Sequence, residues 1–224
     1  MSSELRHDYI VVEGPIGVGK TSLARRLAAT FETELLLEGA DENPFLERFY
    51  RNPREAALPT QLYFLFQRAR QMQALRQGDI FRPVRVADFL MEKDRLFAGL
   101  TLDDEELKLY EQVYAQMTLD APTPDLVIYL QAPVDILRTR VRSRGIPHEQ
   151  LMDQMYLEKV VDAYARLFHY YDAAPLLIVN ASSIDPLHND EDYEALLACI
   201  RGISSGRHFF NPVPSVLQNP RPRQ

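Results

Sequence analysis

Short apolar runs at Tyr9–Val12, Leu35–Leu37, Val84–Ala87, Leu126–Leu130 and Leu176–Val179 are separated by longer stretches with apolar residues at helical spacing. Short runs of this kind suit strands buried on both faces, and the intervening helical stretches are long enough to act as crossovers. The alternation predicts an α/β fold in which a five-stranded parallel sheet is flanked by helices and joined by right-handed connections. The longest helical stretches fall at about 58–77, 103–117, 149–172 and 190–202. A chain of 224 residues leaves little room for a second full domain. The reading is one domain over 1–203, followed by a tail over 204–224 that holds four prolines and little apolar periodicity.

The first apolar run leads into Glu13-Gly-Pro-Ile-Gly-Val-Gly-Lys-Thr21, which matches the phosphate-cradling pattern G-x-x-x-x-G-K-[ST]. Gly14, Gly17 and Gly19 allow tight turning and close approach of backbone N–H groups to phosphate oxygens, with Pro15, Ile16 and Val18 completing the loop. Lys20 supplies a point charge for the terminal phosphates, and Thr21 a hydroxyl for Mg²⁺. The stretch from Ser22 has helical apolar spacing, so a positive helix N-terminus faces the same phosphates. A glycine-rich turn of purely structural use would not need a strand before it, a helix after it and Lys-Thr in register.

Composition narrows the class. Hydrophobic residues make up 46% and charged residues 25%, and the formal net charge is −7, which gives no electrostatic reason to bind a nucleic acid polymer or an anionic membrane. Cys199 is the single cysteine, so no intrachain disulfide can form and a reducing compartment is expected. The N-terminal residues Met1 to Asp8 lack the apolar stretch of a secretion signal, and no run reaches membrane-spanning length, so a cytoplasmic protein is expected.

Ligands of an open parallel sheet collect at the carboxyl ends of its strands. Glu38, Asp88 and Gln131 follow the second, third and fourth apolar runs, and each is a candidate. A lone carboxylate after a strand is equally a helix cap or a solvated end, so Glu38 by itself leaves both readings open.

Together these segments resemble the deoxynucleoside kinase family, in its bacterial deoxyadenosine and deoxyguanosine kinase branch. The resemblance covers about residues 8–202 and rests on 13–21, Glu38, Asn43-Pro-Phe-Leu-Glu-Arg-Phe-Tyr50, Gln61-Leu-Tyr-Phe-Leu-Phe-Gln-Arg68, the stretch from Asp88 to Asp94, and Arg140-Val-Arg-Ser-Arg-Gly145. It implies a P-loop kinase with an arginine-rich lid that moves the γ-phosphoryl of ATP, with Mg²⁺, to the 5′-hydroxyl of a deoxynucleoside, a purine one being favoured. It places Glu38 as the base that takes the hydroxyl proton, Tyr50 and Glu149 on the sugar 3′-hydroxyl, and Gln61, Arg68 and Asp94 at the base. Arg140 and Arg144 match lid positions that spread positive charge over the transferring phosphate, and Asp88 joins Thr21 at the metal. Gln61 and Arg68 are seven apart, two helical turns, so they project from one face. Family members pair through long helices, which implies a homodimer.

Two departures stand out. The family's acidic-Arg-Ser triplet reads Asp88-Phe89-Leu90, so the acid remains and the arginine does not, with Lys93 or Arg95 nominated as its replacement. In the lid, Ile146 and Pro147 follow Gly145 where a third arginine is usual. Two other readings therefore stay open: a thymidylate-type monophosphate kinase, with Arg48 or Arg51 on the acceptor phosphate, and a catalytically silent nucleotide-binding subunit.

Overall fold

A computed structural model describes residues 7–77, 85–118 and 121–211. The expectations for the first six residues, Val84 and the chain beyond Asn211 lie outside these. Among the described residues the strands are β1 (Tyr9–Glu13), β2 (Glu34–Leu36), β3 (Arg85–Ala87), β4 (Leu126–Gln131), β5 (Leu176–Asn180) and β6 (Arg207–Phe210). The helices are α1 (Lys20–Thr30), α2 (Leu46–Arg51), α3 (Pro53–Gln77), α4 (Lys93–Thr101), α5 (Asp104–Met117), α6 (Val134–Arg144), α7 (Gln154–Tyr170) and α8 (Asp190–Gly202). All strand pairs are parallel, in the order β2-β3-β1-β4-β5-β6. No helix among these residues is long and apolar enough to cross a membrane.

Alternate strand residues serve opposite faces, as the period of two requires. Ile10, Val12, Ile128, Leu130, Leu177 and Val179 pack with α1 and α8, whereas Val11, Val127, Tyr129, Leu176 and Ile178 pack with α3, α4, α5 and α7. Both faces are covered, which is why the central strands read as unbroken apolar runs rather than alternating ones. A smaller cluster of Leu46, Phe49, Ala56, Ala57 and Phe64 joins α2 to α3 beside the carboxyl ends of the strands.

Two features differ from the sequence expectation. The sheet has six strands rather than five: Arg207–Phe210 pair with β5 from Leu176↔Arg207 to Val179↔Phe210, inside the stretch read as a tail. Four residues are too few for periodicity to register, and the pairing is decided by the free edge that β5 offers. The helical stretch expected over 149–172 is broken. A short 3₁₀ turn at Glu149–Leu151 precedes α7, whose N-cap Asp153 accepts a hydrogen bond from the Met155 N–H.

The loop between β1 and α1 is wrapped tightly against its neighbours. Gly14 has φ 152°, and a Cβ there would lie 2.4 Å from the Leu130 carbonyl oxygen, while Gly17, with φ 84°, would press one to 2.9 Å from that of Leu137. Only glycine accommodates both the backbone conformation and the approach. A further tie comes from Glu13, which is fully buried. Its Oε1 accepts from the Gly14 N–H at 2.8 Å and the Tyr164 hydroxyl at 2.9 Å, and its Oε2 accepts from the Leu90 N–H at 2.8 Å. Burial, then the Glu13 and Glu38 charges, push the Tyr164 phenol well above its ordinary pKa, so it stays a donor.

Two stability measurements follow from this packing. Phe210 is half-buried against the core beneath α8, whereas Phe209 on the same strand is 70% exposed. In urea denaturation Phe210→Ala is expected to lose about 1–2 kcal/mol, part of the full cost of removing a buried phenylalanine, and Phe209→Ala to stay within about 0.5 kcal/mol. Equal effects would contradict β6 as a packed strand. Glu13→Gln turns an NH₂ group toward one of three buried donors, and is expected to cost about 2–3 kcal/mol, against about 1 kcal/mol for Tyr164→Phe.

Candidate active site

The carboxyl ends of β1, β2 and β3 open into a cavity of about 530 Å³, walled by the start of α1, by α2 and α3, by the start of α4 and by the segment after α6. A second cavity, about 570 Å³, lies on the far side of the β1–α1 loop, between that loop and residues 181–188. Gly17, Lys20 and Thr21 line the first, and Val18 and Gly19 the second, so one loop faces both. Its N–H groups and the N-terminus of α1 form an anion site between two chambers.

At the floor of the first cavity a chain of charges runs across three elements. Arg68 of α3 is buried and bonds with both Asp94 and Glu38, donating Nη1 to one and Nη2 to the other. Lys93, the first residue of α4, places Nζ 2.7 Å from Glu38 Oε2 and 3.9 Å from Glu13 Oε1. Burial alone would raise the Glu38 pKa, but the charges of Lys93, Arg68 and Lys20 outweigh it and hold the carboxyl well below its usual range. Lys20 is shifted down, first by burial and then by Lys93, against the opposing pull of Glu13, Glu38 and Asp88.

Asp88, at the end of β3, accepts the Glu38 N–H at 2.7 Å through Oδ1 and the Thr21 hydroxyl at 2.5 Å through Oδ2. A hydroxyl and a carboxylate side by side at the end of a phosphate loop are hard oxygen donors. They suit Mg²⁺, which keeps its other positions for water and phosphate oxygens.

Gln61 donates Nε2 to Thr101 Oγ1 at 3.3 Å, and that hydroxyl donates to the Phe97 carbonyl at 2.7 Å. Because the Thr101 proton is committed, its oxygen must accept, which orients the Gln61 amide. Tyr50 stacks on His148 at 5.8 Å, and burial, with Tyr156 and Glu149 nearby, raises its pKa well above the ordinary value. Glu149 takes Arg144 Nη2 on both oxygens, at 2.7 and 2.6 Å.

Of the residues singled out from the sequence, Glu38, Tyr50, Gln61, Arg68, Asp88, Asp94, Arg144 and Glu149 line this one cavity with Lys20 and Thr21. Arg140 does not. It lines the second cavity, donating to the carbonyls of Val18 at 3.1 Å and Ala181 at 2.8 Å. Phe64 faces the first cavity, whereas Phe66 is exposed and Tyr63 packs edge-on to Phe45. Of the two nominated replacement cations, Lys93 is in the cavity and Arg95 is outside, paired with Glu111 at 3.0 Å and lying over Tyr114. Phe89, in the place of the missing arginine, is buried in the core with Leu90.

Sequence reasoning missed Glu13, Thr101, His148 and Tyr156. Glu13 sits at the end of an apolar run, directly before the phosphate loop, and that position is the signal the pattern held. Thr101, His148 and Tyr156 carry no such mark, because their roles depend on contacts across 40 residues and more, such as Gln61 with Thr101.

Comparison with known proteins agrees with this geometry. The family model for deoxynucleoside kinase matches residues 10–203. A deoxyguanosine kinase of Bacillus subtilis (strain 168) is 33% identical over 202 residues, covering 86% of this chain and 96% of that protein. A deoxyadenosine kinase of Lactobacillus acidophilus is 31% identical over 198 residues, covering 80% and 88%. The structure of deoxyadenosine kinase from M. mycoides with bound dATP superposes with a TM-score of 0.75 at 22% identity, over 87% of this chain and 99% of that one, a likeness of fold. A match across nearly the whole globular chain, on a sheet that brings the phosphate loop and the carboxylate after β2 into one cavity, makes this chain a member of the deoxynucleoside kinase family.

Proposed function

We propose that this protein transfers the γ-phosphoryl of ATP to the 5′-hydroxyl of a deoxynucleoside, a purine one by preference, with Glu38 as the general base. The observation that carries the reading is the shared cavity in which Glu38 faces the phosphate-loop residues Lys20 and Thr21. A sugar hydroxyl bonded to Glu38 would share this cavity with a phosphoryl group on the loop, and positioning of that kind is most of what the protein contributes to phosphoryl transfer. Thr21 and Asp88 would hold Mg²⁺, which supplies charge neutralisation on the phosphates. Lys20 stays at the terminal phosphates and Arg144 of the lid adds charge from above. The second cavity, which takes in Arg140, suits the base of the donor.

The acceptor fits between Tyr50 and Glu149 at its sugar and Gln61, Arg68 and Asp94 at its base. Gln61 keeps its carbonyl for the base, and Arg68 Nε and Asp94 Oδ2 are buried with no protein partner. A purine edge with an amino or ring N–H donor beside an acceptor answers these groups. Relatives named deoxyguanosine and deoxyadenosine kinase support a purine. Nothing favours a monophosphate acceptor: Arg51 pairs with Glu47 at 2.6 Å on the exposed side of α2, and neither it nor Arg48 lines the cavity. The lone cysteine supports a reducing, cytoplasmic setting.

A panel of deoxynucleosides, ribonucleosides and nucleoside monophosphates, scored for ADP release with ATP and Mg²⁺, tests the reading. Purine deoxynucleosides should give the highest turnover, and release driven only by monophosphates would overturn it. Glu38→Gln should lower kcat by at least ~100-fold, the usual contribution of a positioned base, while ATP affinity measured by calorimetry changes little. Persistent turnover would remove Glu38 as the base.

The protein is proposed to be a homodimer, supported by large apolar side chains left exposed on the packed helices α3 and α5: Phe66, Leu109 and Met117. Sedimentation should give twice the monomer mass, and Leu109→Glu should shift it toward monomer. A wild-type monomer at micromolar concentration would refute the pairing.

A further inference from the structure

Lys93 has no counterpart in the family triplet that this chain has lost, yet it occupies the most charged point of the site. It is 3% exposed, and its ammonium reaches Glu38 at 2.7 Å. Its position is held from below. The Leu90 N–H is bonded to Glu13, and the Lys93 N–H donates to the Leu90 carbonyl at 3.2 Å, so the start of α4 is tied to the same buried carboxylate as the phosphate loop. The other cations of the cavity are set differently: Arg68 is shared between Asp94 and Glu38, Arg144 is paired with Glu149, and Arg25 lines the cavity from an exposed position on α1, so Lys93 is the buried cation against the free side of Glu38. Lys93 and Lys20 line the same cavity, the first against Glu38 and the second from the phosphate loop.

We propose that Lys93 is a positioning residue that couples the two substrates: its ammonium is shared between Glu38 and the phosphoryl group held by Lys20, and arrival of the triphosphate draws it from the first toward the second. The inference rests on the preceding assignment of Glu38 and ATP. A carboxylate paired with Arg68 on one oxygen and Lys93 on the other is a weak proton acceptor, and drawing one of the two cations away restores its basicity. A triphosphate beside Lys20 offers Lys93 a stronger anion within the same cavity. Released on one side, Glu38 accepts the 5′-hydroxyl proton as the new O–P bond forms and the bond from the γ-phosphorus to the bridging oxygen breaks, leaving ADP. The buried Phe89 explains why this cation comes from α4 and not from the end of β3.

Coupling of this kind is reciprocal and can be read without turnover. In calorimetry on the full chain, a non-hydrolysable ATP analogue with Mg²⁺ should tighten binding of the best deoxynucleoside by ~5-fold or more, and in Lys93→Met by less than ~2-fold. In steady state Lys93→Met should lose ~50-fold or more in kcat with both KM values within ~3-fold, Lys93→Arg should recover part of the loss, and ethylamine should restore turnover to Lys93→Ala. If Lys93→Met fails to fold, Lys93→Gln, which keeps a hydrogen-bond donor for Glu38 without the charge, carries the same measurements. Unchanged coupling, or kcat within ~3-fold of wild type, overturns the proposal. An inactive Glu38→Gln beside a fully active Lys93→Met removes this inference alone, whereas an active Glu38→Gln removes the base assignment and this inference with it.

Discussion

A carboxylate is tolerated out of contact with water only where its lone pairs meet donors, and Glu13 satisfies that condition by joining three separate pieces of chain. It receives the first N–H of the phosphate loop, the N–H of Leu90 beyond β3 and the hydroxyl of Tyr164 from α7. The loop is thereby located against the segment that carries Asp88, Lys93 and Asp94. The geometry of the cavity follows, because Asp88 in turn holds the Thr21 hydroxyl and the Glu38 backbone. Removing the Glu13 charge would loosen the register between donor and acceptor sides before touching any ligand contact.

The charged floor above it obeys the same constraint. Three cations, Lys20, Arg68 and Lys93, and four carboxylates, Glu13, Glu38, Asp88 and Asp94, lie at the ends of neighbouring strands and helices. Arg68 and Lys93 are paired directly with carboxylates and Lys20 feels the charges of Glu13, Glu38 and Asp88, which keeps the burial of charge from being prohibitive. Phe89 fits this picture as an apolar filler beside Arg68, whose guanidinium lies 5.9 Å from its ring. The buried cation beside Glu38 stands about one turn further on, at Lys93.

How much of this was legible in the chain depended on the range of the interactions. The strands of the sheet centre and the phosphate loop stood out because burial on both faces and the glycine pattern leave local marks, as in Tyr9–Glu13 running into Gly14. The break between the 3₁₀ turn at 149–151 and α7 was written locally as well, in the cap at Asp153, but apolar spacing alone carried across it. β6 left no mark, since four residues become a strand only when β5 offers an edge. At the site, Glu38, Gln61 and Arg68 could be nominated by position, while the Gln61–Thr101–Phe97 relay and the Tyr50–His148 stack arise from tertiary contacts that no spacing encodes.

The two chambers are joined mechanically by α6 as well as by the loop between them. Arg140 and Arg144 are four residues apart, one turn of helix, yet the first faces the chamber bounded by residues 181–188 and the second faces the acceptor cavity. Leu137 and Val141 of the same helix press against Gly17, where a Cβ would meet the Val141 side chain at 2.8 Å. A rotation of α6 that moved one arginine would therefore move the other and would press on the phosphate loop at Gly17. Because Arg144 also holds Glu149, the same rotation reaches the wall of the first cavity beside Tyr50. Close packing at Gly17 thus ties α6, which carries one arginine into each cavity, directly to the phosphate loop that lies between them.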